Sequence, residues 1–228
     1  MKRLGIALFS LLALVSLAFP PSALAYSNAD FRNPRDLGGG WLGRNTAQHN
    51  SYEPLNVVIS ARSDSRVKAD PYGFFYTAGF SDCFGGQIVR ADVDGANKDQ
   101  AFEYRDGGCV EAFTGGNHLR GWKQGQTGAW FLAVSEEHGP PTNHVIDANG
   151  FNKGRDDFAA KVNGTITRPA GRYTVYRFHT TEEIVPGCPP SPNPRPPSLY
   201  CAGTGRGNTN GVPYDGKVVI LTVQQLSP

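Results

Sequence analysis

Residues 115–136 read GGNHLRGWKQGQTGAWFLAVSE. Two runs, His118 to Lys123 and Ala129 to Glu136, flank Gln124-Gly125-Gln126-Thr127-Gly128. A short glycine-containing loop between two such runs predicts a β-hairpin. Side chains alternate along a strand, so His118, Arg120 and Trp122 share one face. The second run, Ala129-Trp130-Phe131-Leu132-Ala133-Val134, is the apolar partner strand.

The same pattern extends outward. Upstream, Gln87–Val93 and Gln100–Arg105 flank Asp94-Gly95-Ala96-Asn97, which is turn chemistry. Leu55 to Ser60 is a β-branched run that reads as a buried strand. Asp70-Pro71 reads as a helix start, with Tyr72, Phe75 and Tyr76 on one face and Gly79 as the stop. Downstream, Asp156 to Val162 has a helical pattern, with Phe158 and Val162 on one face. Arg172 to Thr180 alternates, and Lys217 to Val223 is an apolar closing strand. The expected fold is a single α+β domain over residues 53–228. It has a largely antiparallel sheet, two short helices on one face and a Pro/Gly-rich loop at 186–216 before the last strand. An irregular arm, 26–52, precedes it.

Composition agrees. Gly 28 and Pro 17 make up nearly a fifth of the 228 residues, which disfavours a coiled coil or helical bundle. The formal charge is +2, and two of the basic residues, Lys2 and Arg3, open an apolar leader. Without them basic and acidic residues balance, so charge gives no case for nucleic acid or an anionic membrane as partner. Met1 to Ala25 has the parts of a secretory signal peptide: the basic start, the run Leu4 to Phe19, and Ala23-Leu24-Ala25 as cleavage site. No later stretch is apolar enough to span a bilayer, so the expected location is secreted, extracellular.

The four cysteines, Cys83, Cys109, Cys188 and Cys201, allow three disulfide connectivities in an oxidising compartment. Sequence proximity favours Cys83–Cys109 and Cys188–Cys201; the spacing does not suit zinc. Pro189, Pro190, Pro192, Pro194, Pro196 and Pro197 remove N–H donors, so that stretch is expected to be irregular and exposed. Asn163-Gly164-Thr165 is an N-glycosylation sequon, relevant in a eukaryotic source.

The chemistry-bearing residues fall in three segments: His118, Arg120 and Trp122; then His144, Asp147 and Asn149; then Arg155 and Asp156. Three readings stand side by side. The residues form a buried salt-bridge network that fixes sheet register. Or Arg120, Trp122, Asn149, Arg155 and Asp156 bind an anionic or sugar ligand. Or His118, His144 and Asp147 act as base and orienter, or hold a metal. Asp147-x-Asn149 and Asp92-x-Asp94-Gly95 lack the glycine and glutamate of a calcium loop and read as turns. No Gly-x-Ser-x-Gly or phosphate-binding glycine motif is present. Trp41, Trp122 and Trp130 read as core more readily than as a sugar platform.

The succession His-x-Arg-x-Trp, apolar strand, His-x-Ile-Asp and Arg-Asp at a helix start resembles the domain at the C-terminal end of LssY-type bacterial membrane proteins. A family of small secreted fungal proteins of unknown function is closer. It is matched at Pro54–Ser60, Gly79–Cys83, Gly115–Trp122 and Asn149–Asp156. The resemblance covers about residues 53–180. It implies no activity or cofactor, and it implies a cysteine near Cys109 as the partner of Cys83. The functional expectation is a secreted, disulfide-bonded, non-catalytic binding or structural module with no cofactor and no metal. Its partner would be a small molecule or an extracellular glycan. The alternative is a secreted hydrolase or metal-dependent enzyme using His118 and His144.

Overall fold

The computed structural model describes residues 30–31, 54–82, 102–139, 145–170, 174–185, 212–215 and 217–227. The expected leader, most of the expected arm with Trp41, the expected 87–93 strand and turn, Cys83, His144, and the Pro-rich stretch with Cys188 and Cys201 lie outside the described residues.

The strands are β1 (Val57–Ile59), β2 (Phe80–Ser81), β3 (Phe102–Asp106), β4 (Gly115–Lys123), β5 (Trp130–His138), β6 (Gly164–Ala170), β7 (Thr174–Val185) and β8 (Val218–Gln225). They form one sheet in the order β2-β3-β4-β5-β1-β8-β7-β6. Described neighbours are antiparallel except β1 and β8, which run parallel with Val58 opposite Ile220. The sheet is therefore mixed, and the closing strand lands beside the first. Strand β6 was not anticipated; its Thr-Ile-Thr alternation is short and interrupted by Pro169.

The helices are α1 (Ser65–Ala69), α2 (Tyr72–Thr77), α3 (Glu111–Thr114) and α4 (Gly150–Val162). Asp70 accepts from the Tyr72 backbone N–H at 2.9 Å, as expected of a helix start. In α2 the fully buried rings are Phe74 and Phe75, while Tyr72 is exposed and stacks on Tyr76 at 5.9 Å. The expected face of Tyr72, Phe75 and Tyr76 is thus rotated, because Phe74 meets Phe178 of β7 at 5.6 Å. Helix α4 begins six residues before the expected Asp156. Gly150 and Gly154 hid this start, since glycine lowers helix propensity. Both serve close approach to β5. A Cβ on Gly154 would stand 2.6 Å from the Ser135 carbonyl carbon, and one on Gly150 would stand 2.5 Å from the Glu136 oxygen.

Much of the core lies between the helices and one face of the sheet, and the same cluster continues onto the other face through Trp122, Phe131 and Phe31. Phe75 and Phe80 of the α2–β2 segment meet Phe158 of α4, and Phe75 meets Tyr104 of β3. Asn56 ties the layers together: its side-chain amide donates to the Val134 and Phe151 carbonyls at 2.7 and 3.0 Å. On the other face Phe31 packs edge-on to Phe131 at 5.3 Å, and Asp30 binds Ser60 and Arg62. This point of the arm is buried. So is the last part of the 186–216 loop, where Val212 and Tyr214 form a small cluster with Ile146 and Phe151.

Candidate functional site

Alternation along β4 sends neighbouring side chains through opposite faces of the sheet. Asn117 points to the helix side and donates to the Gly154 carbonyl of α4 at 2.7 Å. His118 therefore points away from α4, and so do Arg120 and Trp122. Directly opposite them on β3 stand Arg105, paired with His118, and Glu103, paired with Arg120. On β5 the same face carries Ser135, opposite His118, and Glu137 two residues on.

His118 is 2% exposed. Its Nδ1 lies 2.7 Å from Glu137 Oε1 and its Nε2 lies 2.8 Å from Glu103 Oε1. Glu103 Oε1 also accepts from Arg105 Nη2 at 3.0 Å, and Arg105 Nε lies 3.2 Å from Glu111 of α3. Arg120 Nε stands 4.0 Å from Glu103 Oε2, and Ser135 donates to Glu137 at 3.3 Å. Three carboxylates and three cations thus alternate, and the cluster is neutral only if His118 is an imidazolium. A neutral ring has one N–H and would aim its other lone pair at a carboxylate. Burial alone would push the His118 pKa down from its ordinary 6.5, but the Glu137 charge and the hydrogen bonds donated to both carboxylates outweigh it and raise it to about 9. Burial pushes Glu137 up, and the His118 charge reverses this and holds it below its usual value.

A second cluster lies on the α4 side. Arg155, 1% exposed, donates from Nη1 and Nη2 to the two Asp215 oxygens at 2.5 and 3.1 Å. Its Nη1 also reaches the Lys217 carbonyl at 3.1 Å, and its Nε reaches Asp156 at 2.8 Å. Its guanidinium lies 5.9 Å from the Tyr214 ring, whose hydroxyl donates to the same Lys217 carbonyl. Burial opposes the Arg155 charge, but the hydrogen bonds it donates to Asp215 and Asp156 raise its pKa further. Asp215 is depressed: burial lifts it and the Arg155 hydrogen bond more than reverses that. This clamp binds the chain entering β8 to the middle of α4.

The sheet therefore separates residues that the sequence grouped together. His118, Arg120 and Trp122 lie on one face; Asp147, Asn149, Arg155 and Asp156 lie with α4. Asp147 accepts from the Asn149 backbone N–H at 3.1 Å and stands 3.7 Å from His138, not beside His118. Asn149 precedes α4, is exposed and accepts from Asn152 at 2.6 Å. Asp156 is exposed, and Trp122 is buried in the main core. Glu103, Arg105, Glu111, Glu137 and Asp215 were missed. Glu103 and Arg105 alternate within an expected strand, and the Glu103 charge complements those of Arg120 and His118; that was the available signal. Glu137 lies one residue past the expected strand end.

Among the described residues no group of three or more His, Cys, Asp or Glu side chains could hold a metal. Cys109 is disulfide-bonded; its partner lies outside the described residues, as do both ends of the expected Cys188–Cys201 link. No described helix is long and apolar enough to cross a membrane. Comparison with family models, with curated proteins and with solved structures finds no match for this chain.

Proposed function

We propose that the chain is a secreted, disulfide-bonded, non-catalytic module, a binding or structural domain akin to the small secreted proteins it resembles. The observation that carries this reading is the state of His118. Both ring nitrogens donate to carboxylates, the ring is buried, and its pKa is lifted to about 9. Such an imidazolium has no lone pair to accept a proton or ligate a metal. The alternative enzyme built on His118 and His144 loses His118 as a base by the same argument. The Arg155 guanidinium, held by two aspartates and a carbonyl, is likewise occupied as a strut.

The single α+β domain over 53–228, removal of the leader after Ala25, and the Cys83–Cys109 and Cys188–Cys201 links belong to the same proposal. A ligand, in this reading a small anion or an extracellular glycan, binds at the surface around these frameworks and uses neither charge cluster as its chemistry. The test is metal analysis of the secreted protein together with a thermal-shift screen of anions and oligosaccharides. A stoichiometric tightly held metal, or turnover of an ester or phosphate that His118→Ala abolishes without lowering Tm, would sink the reading.

A further inference from the structure

The chain contains one Asn-x-Ser/Thr sequon, Asn163-Gly164-Thr165. It sits where α4 hands over to β6. Asn163 is the C-cap of α4, with φ −65° and ψ 140°, and is exposed. Gly164 has φ +75°, the left-handed conformation that glycine adopts without strain, and a Cβ there would meet nothing within 4 Å. Thr165 is exposed, with its hydroxyl 3.1 Å from His179 Nδ1 across the β6–β7 pair.

Strand β6 ends the order of described strands and, among the described residues, is paired on one side only, with β7. The opposite end, β2, has two residues, too few to template a foreign strand. An open edge of seven residues invites pairing between copies unless something blunts it. Pro169 blunts the far end by removing an N–H. The near end, 164–168, has no proline.

We propose that Asn163 is an N-glycan acceptor and that its glycan shields the near end of this edge. The inference rests on the secretion reading above. The donor is a lipid-pyrophosphate-linked oligosaccharide. A bond forms between Asn163 Nδ2 and C1 of the terminal sugar, the C1–oxygen bond to the pyrophosphate breaks, the lipid pyrophosphate leaves, and the transferase takes the amide proton. Because Thr165 is engaged by His179 once β6 and β7 pair, transfer precedes that pairing.

The experiment is expression of the full chain in a glycosylating eukaryotic host, with peptide mass mapping of wild-type protein before and after peptide-N-glycosidase. The expected result is secreted protein whose Asn163 peptide carries hexose-containing mass and converts to Asp on treatment. Thr165→Ala abolishes this and Thr165→Ser retains it. Secreted protein with a bare Asn163 overturns the inference and leaves the secretion reading standing; a chain kept in the cytosol with its leader intact overturns both. Enzymatic removal of the glycan from folded protein is expected to increase the dimer and larger species in light scattering. A Thr167→Lys edge charge should reverse that increase. Unchanged monomer after deglycosylation, or association that Thr167→Lys leaves intact, overturns the shielding role.

Discussion

The His118 and Arg155 clusters lie on opposite sides of one sheet and hold the fold in different ways. His118 joins three adjacent strands through Glu103 on β3 and Glu137 on β5, both of its partners lying on strands already hydrogen-bonded to its own strand, β4. Arg155 joins parts of the chain 60 residues apart, clamping the segment before β8 onto α4. Glu137 is 7% exposed at the side chain, whereas Asp215 is 30% exposed. Removing the cation therefore strands a buried carboxylate in the first case and a partly hydrated one in the second. The first cluster also loses its cation as pH rises through about 9, whereas the arginine of the second stays charged. A buried pair of equal geometry is thus a different device according to which cation it uses and how wet its partner is.

His118→Ala is expected to have the largest effect, a loss of about 3–5 kcal/mol, because Glu137 and Glu103 are left facing each other without the cation. Urea denaturation at neutral pH measures it. A loss below ~1 kcal/mol would show that the cluster is hydrated and would reopen the site reading.

The pH dependence sharpens the contrast. His118 has a folded pKa of about 9 against an ordinary 6.5, so its contribution is complete below pH 6.5 and is lost as pH rises through 9. At ~1.4 kcal/mol per pKa unit the alkaline loss is about 3 kcal/mol. Glu137 and Asp215 are both depressed, so their contributions are present above their ordinary values of 4.5 and 3.8 and fade as pH falls through the lower folded values. Denaturation from pH 6 to pH 10 should show the alkaline loss in wild type and its absence in His118→Gln. An identical slope in both would assign the titration elsewhere.

Arg155→Ala is expected to lose about 2–3 kcal/mol, less than His118→Ala because water reaches Asp215. The alkaline slope should survive in this variant. Hydrogen exchange should quicken at residues 212–217 while β4 stays protected; equal loosening of both would mean the clusters are coupled. Arg155→Lys keeps the charge but not the fork, and should recover only part of the loss.

Arg120→Ala should show the smallest change, about 1 kcal/mol, since its side chain is 18% exposed, against 3% for His118 and 2% for Arg155. Thermal melts of this variant against His118→Ala test the ranking. Arg120→Ala exceeding His118→Ala would place the centre of the network at the arginine.

Much of this was legible from residue order. The hairpin over 115–136, the shared face of His118, Arg120 and Trp122, the helix start at Asp70-Pro71 and the closing apolar strand follow from local rules. Side-chain alternation, proline geometry and burial of β-branched runs act over a few residues and leave a periodic trace. The sequon is a linear motif and needs no fold to be recognised.

What tertiary structure alone decided is which residues meet. The parallel pairing of β1 with β8 depends on where the chain returns after a long excursion, and periodicity carries no information on that. The start of α4 was masked because Gly150 and Gly154 look like breakers until the β5 backbone is placed against them. His118 was grouped with Asp147 and Asp156 because they share a polar character. Strand pleat and register instead gave it Glu103 and Glu137, fifteen residues before and nineteen after. Alternation tells which face a side chain takes, but partners across strands are set by register, and register is a property of the whole sheet.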